Sequence, residues 1–144
     1  IIGIGESKTP LLTAKTTLGN QTYQLFSAHP KPSLNRQWHK ERLEYFEEVA
    51  PYVNKADNPV IMMGDYNSVP WERYFVKFLH KTGLHSTLKN AGYRITWPVY
   101  FPLFGIPMDH ILISRSITPK GLAVGPDVGS DHYPVALQLE VFEE

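Results

Sequence analysis

The stretch Val60-Ile61-Met62-Met63-Gly64-Asp65-Tyr66-Asn67 constrains this chain more than any other. Its run of apolar residues, bounded by Asn58-Pro59 and by Gly64, predicts a short strand buried on both faces. Such strands belong to α/β folds, which commonly bind their ligands at the carboxyl ends of strands. Gly64 lets the backbone turn sharply or approach a ligand closely. If the backbone stays extended, Asp65 and Asn67 project to one side of that end. Taken alone, the stretch is equally a polar turn closing a core strand, because Asp and Asn are ordinary turn residues.

At 144 residues the chain fits one domain with a sizeable core. Its formal net charge of zero argues against coating nucleic acid by bulk electrostatics, though a local basic groove stays open. Without cysteine there is neither a disulfide framework nor a thiolate metal site. No run is long and apolar enough to cross a bilayer, and no signal peptide is visible. These features leave cytoplasmic, membrane-associated and extracytoplasmic locations all open. The start on Ile1-Ile2-Gly3-Ile4-Gly5, with no initiator Met, reads as the interior of a longer protein.

Leu11 to Leu18 and Gln21 to Ala28 read as strands joined by a tight Gly19-Asn20 hairpin. The second run ends at Ala28-His29-Pro30, where proline stops the ladder and leaves His29 at a strand end. Ser33 is the expected cap of a first helix with Leu43, Phe46, Val49, Ala50 and Val53 as its apolar stripe. Lys40, Glu41, Arg42, Glu44, Glu47 and Glu48 are expected on its solvated face. After Asn67, Ser68 and Pro70 signal a second helix. Its expected stripe is Trp71, Phe75, Phe78 and Leu79, and Gly83 marks its end.

Leu84 to Pro107 is irregular and aromatic-rich, with Tyr93, Trp97, Tyr100, Phe101 and Phe104 around Arg94 and Thr96. Loops of this length are often functional, and an aromatic plug for the core is the plainer alternative. Met108-Asp109-His110-Ile111-Leu112-Ile113 predicts another buried strand. Val135, Leu137, Leu139 and Val141 alternate with polar or small residues, predicting a strand with one buried face. Strands alternating with helices point to α/β architecture.

Polar residues thus recur at strand ends: His29, Asp65 with Asn67, Asp109, and Asp131 with His132. Metal-assisted phosphoester hydrolysis requires such a set. It needs hard oxygen ligands for a divalent cation, a group to activate water, and donors for the phosphoryl oxygens. A carboxylate-held imidazole suits the water-activating or donor role. No HExxH-type spacing and no nucleophile elbow appear.

Gly64-Asp65-Tyr66-Asn67, Met108-Asp109-His110-Ile111 and Ser130-Asp131-His132-Tyr133-Pro134 resemble the ordered GDFN, IDHI and SDHxP motifs of the endonuclease/exonuclease/phosphatase superfamily, whose fold is that of deoxyribonuclease I. Ala28-His29-Pro30 resembles its histidine-bearing strand end, and Arg94-Ile95-Thr96-Trp97-Pro98 its substrate-side loop. Asp65 through Trp71, with Thr96-Trp97-Pro98, look most like the YafD-like bacterial branch. The resemblance covers nearly the whole chain. It implies mixed β-sheets packed with flanking helices in a four-layer α-β-β-α sandwich. It further implies phosphoester hydrolysis with Mg2+ or Mn2+. By position, His132 would be general base or transition-state stabiliser, oriented by Asp109. Asp65 would align or deprotonate water, Asn67 would hold phosphate, and His29 would donate a proton or bind phosphate. Arg94, Thr96 and Trp97 would contact substrate, and Asp131 would lie close to the metal.

The family's early Asn and its principal metal-ligating Glu have no equivalent here; Glu6 lacks the expected strand context. Residues 1–144 therefore read as the C-terminal part of such a domain, lacking its N-terminal half and weakly active or inactive by itself. The substrate class is open: nucleic acid, a phospholipid head group or a small phosphate ester. A non-catalytic binding module on the same scaffold is the competing reading. A serine esterase ranks third.

Overall fold

The computed structural model describes residues 1–90, 92 and 94–140, excluding the side chains of residues 89 and 90. Tyr93 of the aromatic loop and Val141 of the last strand lie outside the described residues. Among the described residues, eight strands and two α-helices follow one another as β1 (Ile2–Ile4), β2 (Thr9–Leu18), β3 (Gln21–Ala28), α1 (Arg36–Asn54), β4 (Val60–Asp65), α2 (Arg73–Thr82), β5 (His85–Ser86), β6 (Asp109–Ile113), β7 (Pro119–Val124) and β8 (Val135–Leu139). The first six strands in space run β1-β2-β3-β4-β6-β5, and β7 pairs with β8 separately. β3 and β4 pair in parallel, with α1 as the crossover between them, while β4 and β6 pair antiparallel, so the large sheet is mixed.

Alternation along the strands sorts side chains between two cores. Val60 and Met62 of β4, with Leu112 of β6, face Tyr45, Phe46, Val49 and Phe75 of the helices. Ile61, Ile111 and Ile113 face the other way, onto Leu122 of β7 and Leu137 of β8. The architecture is therefore helices, mixed sheet and a covering hairpin. That hairpin covers only part of the sheet: Leu12 and Met63 remain exposed on a shallow apolar groove of about 210 Å³.

Several local expectations shift. The cap of α1 is Asn35, whose Oδ1 accepts from the Trp38 amide at 2.8 Å. Ser33 instead bonds His39 Nδ1 at 2.8 Å. Arg42 belongs to the buried stripe, in step with Tyr45, Phe46, Val49, Ala50 and Val53. α2 starts at Arg73, so Trp71 falls outside it and is 62% exposed. Gly83 ends α2 in the left-handed conformation as expected. β1 is a three-residue edge strand too short to leave a periodic signature.

β3 and β4 approach closely at Gly64. Its φ is +147°, and a β-carbon there would lie 1.9 Å from the carbonyl oxygen of Ala28. Gly64→Ala should cost more than about 3 kcal/mol, because the strands must separate and the backbone is strained. Gly5→Ala, also at positive φ but in open space, should cost only about 1 kcal/mol. Urea-unfolding midpoints of the two variants check the contrast.

Candidate active site

Asp65 closes β4 and Asp109 opens β6, and the two are directly opposed in register. Both follow the odd-numbered alternation of Ile61, Met63, Ile111 and Ile113, so both carboxylates stand on the face away from the helices. Like charges directly opposed across a sheet repel. Imidazoles answer that repulsion. His132 arrives on the loop before β8, and its Nδ1 donates to Asp109 Oδ2 at 2.8 Å. Its Nε2 then lies 3.8 Å from Asp65 Oδ2, while His29 Nε2 reaches the same oxygen at 3.5 Å. A cavity of about 350 Å³ opens beside the group, lined by Met63, Asp109, Ser130 and His132 among others.

The charges tune each other. Burial raises the Asp65 carboxyl, the Asn67 amide opposes this, and the charge of Asp109 raises it further. For His132, burial disfavours the imidazolium, but the hydrogen bond and charge of Asp109, with Asp65 and Asp131, outweigh it. The net effect is a raised value.

Residues 65–68 are held from behind. The Asn67 amide donates to Asp65 Oδ1 at 2.7 Å, and the Asn67 side chain donates to the Pro30 carbonyl at 2.9 Å. This arrangement fixes Asn67 at φ +48°, a left-handed turn that Asn tolerates. Arg42, buried on α1, donates to the Asn67 carbonyl and, at 3.2 Å, to Ser68 Oγ. It also pairs with Glu72 at 2.5 Å. His110 Nε2 donates to the Ser68 carbonyl at 2.7 Å, and burial lowers its pKa to about 4, so the ring is neutral.

The structure thus gathers His29, Asp65, Asn67, Asp109 and His132 at one rim. Trp97 joins them, its ring centroid 6.3 Å from that of His132. Thr96 is fully buried, and its hydroxyl accepts from the amides of Met108 at 2.9 Å and Asp109 at 3.1 Å. It therefore acts on Asp109 from behind the rim. Arg94 lines a separate cavity of about 530 Å³ with Trp71, His80 and Arg115. Asp131 is exposed, and its carbonyl accepts from the Val99 amide at 3.0 Å. Among the described residues, the group able to hold a metal ion is Asp65, Asp109 and His132, with ligand atoms within 4.8 Å of one another.

Sequence reasoning missed Arg42, Glu72 and His110 as supports of the site. Extending the helical period back from Phe46 by four residues lands on Arg42 and would have found it.

The profile of the Endonuclease/Exonuclease/phosphatase family matches residues 4–132. Among solved structures, a 3′ phosphatase, NExo, from Neisseria bound to product DNA hairpin aligns with TM-score 0.73 and 16% identity. That alignment covers 98% of this chain and 70% of that one. Humanized D. rerio TDP2 aligns with TM-score 0.67 and 21% identity over 91% of this chain and 60% of that one. Beta toxin from Staphylococcus aureus aligns at 0.66 and 17%, over 92% and 58%. These identities show a shared fold, and the chain spans less than two thirds of the length of the latter two structures. No curated protein matches the sequence.

Two outcomes follow from the supports. Arg42→Met should cost about 3 kcal/mol in urea unfolding, by stranding the Asn67 carbonyl and Glu72. His110 takes a proton near pH 6.5 when unfolded but only near 4 when folded. Across that window the unfolded state binds more protons, so stability falls as pH drops, by about 3 kcal/mol. His110→Gln keeps an N–H for Ser68 and should remove that part of the slope in denaturant midpoints taken across the window.

Proposed function

The chain belongs to the endonuclease/exonuclease/phosphatase family, and on that premise we propose that it is the catalytic rim of a metal-dependent phosphoester hydrolase. The observation that carries this reading is His132, held through Nδ1 by Asp109 with Nε2 turned toward Asp65. The hydrogen bond to Asp109 fixes the tautomer and supports the imidazolium. Nε2 is then placed to take a proton from water or to stabilise charge on a phosphoryl oxygen. Asp65 aligns that water. Asn67, anchored by one side-chain N–H to Pro30, keeps its second N–H to donate to phosphate. His29 Nε2, on the same oxygen of Asp65, serves as proton donor or phosphate ligand. Trp97, beside His132, flanks the substrate at the rim, whereas Arg94 faces the separate cavity beside Trp71.

The donor set suits a hard divalent cation in kind, since its carboxylates would otherwise repel. Asp65 and Asp109 would hold Mg2+ or Mn2+, with Asp131 at its edge, and the ion would supply charge stabilisation to the phosphoryl group. The set falls short in number, because such ions prefer near-octahedral oxygen ligation. We therefore propose that residues 1–144 are the C-terminal part of the domain and bind the ion weakly on their own. The exposed apolar groove at Leu12 and Met63 supports this, since an upstream half would cover it. The likeness of Asp65 through Trp71, with Thr96-Trp97-Pro98, to the YafD-like branch supports placing the chain there. The neighbouring structures include a 3′ phosphatase bound to product DNA hairpin and a mannosyl-6-phosphatase; the phosphoester class here is drawn from that range.

Hydrolysis of bis-p-nitrophenyl phosphate with Mg2+ or Mn2+ tests the reading. The chain alone should turn over slowly, and restoring the upstream half should raise the rate at least about a hundredfold. In the restored protein His132→Ala should lower the rate by about 10²–10⁴. Because His132 is raised above its ordinary value, the rate should climb with pH through a value above about 6.5, as the base loses its proton. Metal binding without turnover in the restored protein would instead favour a binding module.

A further inference from the structure

Among the described residues, large exposed apolar side chains cluster at the tip between Trp97 and Ile106. Leu103 is 94% exposed, Phe104 83%, Tyr100 68% and Phe101 67%. A folded protein scatters exposed apolar residues singly, and a contiguous group of large ones marks an interaction site. We propose that this tip inserts into the interfacial layer of a lipid bilayer and sets the Asp65–Asp109–His132 rim at the membrane surface. The inference is independent of the phosphoester reading.

The tip is built to stay folded there. Trp97 and Ile106 bridge its base, the Ile106 amide donating to the Trp97 carbonyl at 2.7 Å and the Trp97 amide to the Ile106 carbonyl at 3.1 Å. Pro102–Phe104 forms a 3₁₀ turn in which the Phe104 amide donates to the Phe101 carbonyl at 3.0 Å and the Gly105 amide to the Pro102 carbonyl at 3.1 Å. Pro98 and Pro102 carry no N–H at all. Few backbone donors are thus left to desolvate, which is the main obstacle to placing a loop at lipid depth. From Ile95 to Met108 the sequence has no charged residue, so insertion drags no ion into the apolar layer. Phe, Tyr and Leu are the side chains that interfacial segments bury.

Other occupants fit less well. Four side chains, taken alone, fall short of the roughly 800 Å² per partner of a standard protein interface. Nucleic acid is held chiefly through cations, which the tip lacks. The tip is rigidly coupled to the site: Thr96, next to its base, holds the amides of Met108 and Asp109, and Trp97 lies beside His132.

Co-sedimentation of the chain with phosphatidylcholine vesicles, and with vesicles of equal parts phosphatidylcholine and phosphatidylglycerol, tests this. Binding should occur on the zwitterionic vesicles and survive high salt. The double variant Leu103→Ser with Phe104→Ser should weaken partition at least about tenfold, with an unchanged thermal unfolding curve. Leu18→Ser, removing an exposed apolar residue of the β2–β3 hairpin, should bind as the unaltered chain does. So should His132→Ala, which separates this outcome from the fate of the hydrolase reading. The proposal is overturned by the absence of binding, or by equal binding of the double variant. Binding confined to anionic vesicles and lost in salt also overturns it. So does a lipid-free dimer that the double variant dissociates, which would make a second copy the partner.

Discussion

Beneath the rim, one buried guanidinium joins elements that share no ladder. Arg42 comes from α1, Asn67 and Ser68 from the turn after β4, and Glu72 from the cap position just before α2. Taking a charge into the core is costly unless its hydrogen bonds are made. The turn must therefore present its carbonyl and hydroxyl inward, and the left-handed Asn67 follows from that demand. His110 presses the same point from β6 through the Ser68 carbonyl. Because these contacts point inward, the Asn67 side chain and the Asp65 carboxylate are left facing out.

The second constraint is that two carboxylates stand opposite each other in an antiparallel pair. A sheet optimised for stability would avoid this placement. Here burial and mutual repulsion raise Asp65, while the same negative field raises His132. A carboxyl and an imidazole, both shifted upward, thus stand side by side at one rim. Perturbed groups gathered in a cleft are a mark of function when geometry supports it.

Much of this was legible from local chemistry. The Gly19-Asn20 hairpin, the apolar runs of β4 and β6 and the terminal Gly83 declare themselves through turn residues and periodicity. The ordered polar motifs announce that distant strand ends will meet. What the sequence concealed was of a different kind. An arginine within an amphipathic helix is assigned to water by composition, yet Arg42 is inside because its partners arrive from twenty-five or more residues away. Trp71 counts as core by type, but the helix that would have buried it starts at Arg73. Thr96 looked like a substrate contact and proved to be a bracket for β6, since nothing in its neighbours tells which way a hydroxyl faces. The aromatic loop was a core plug by one reading, and its outermost rings turn to solvent instead.

The order of strands in the large sheet also has a temporal meaning. β4 lies between β3, already synthesised beside it, and β6, which follows after α2, β5 and a long loop. During synthesis one edge of β4 therefore stays unpaired while the aromatic loop is still being made. Asp65 waits for its counterpart, and His132 comes later still. Such an open edge is where nascent chains mispair with one another. Nascent copies are therefore most exposed to one another until β6 closes that edge.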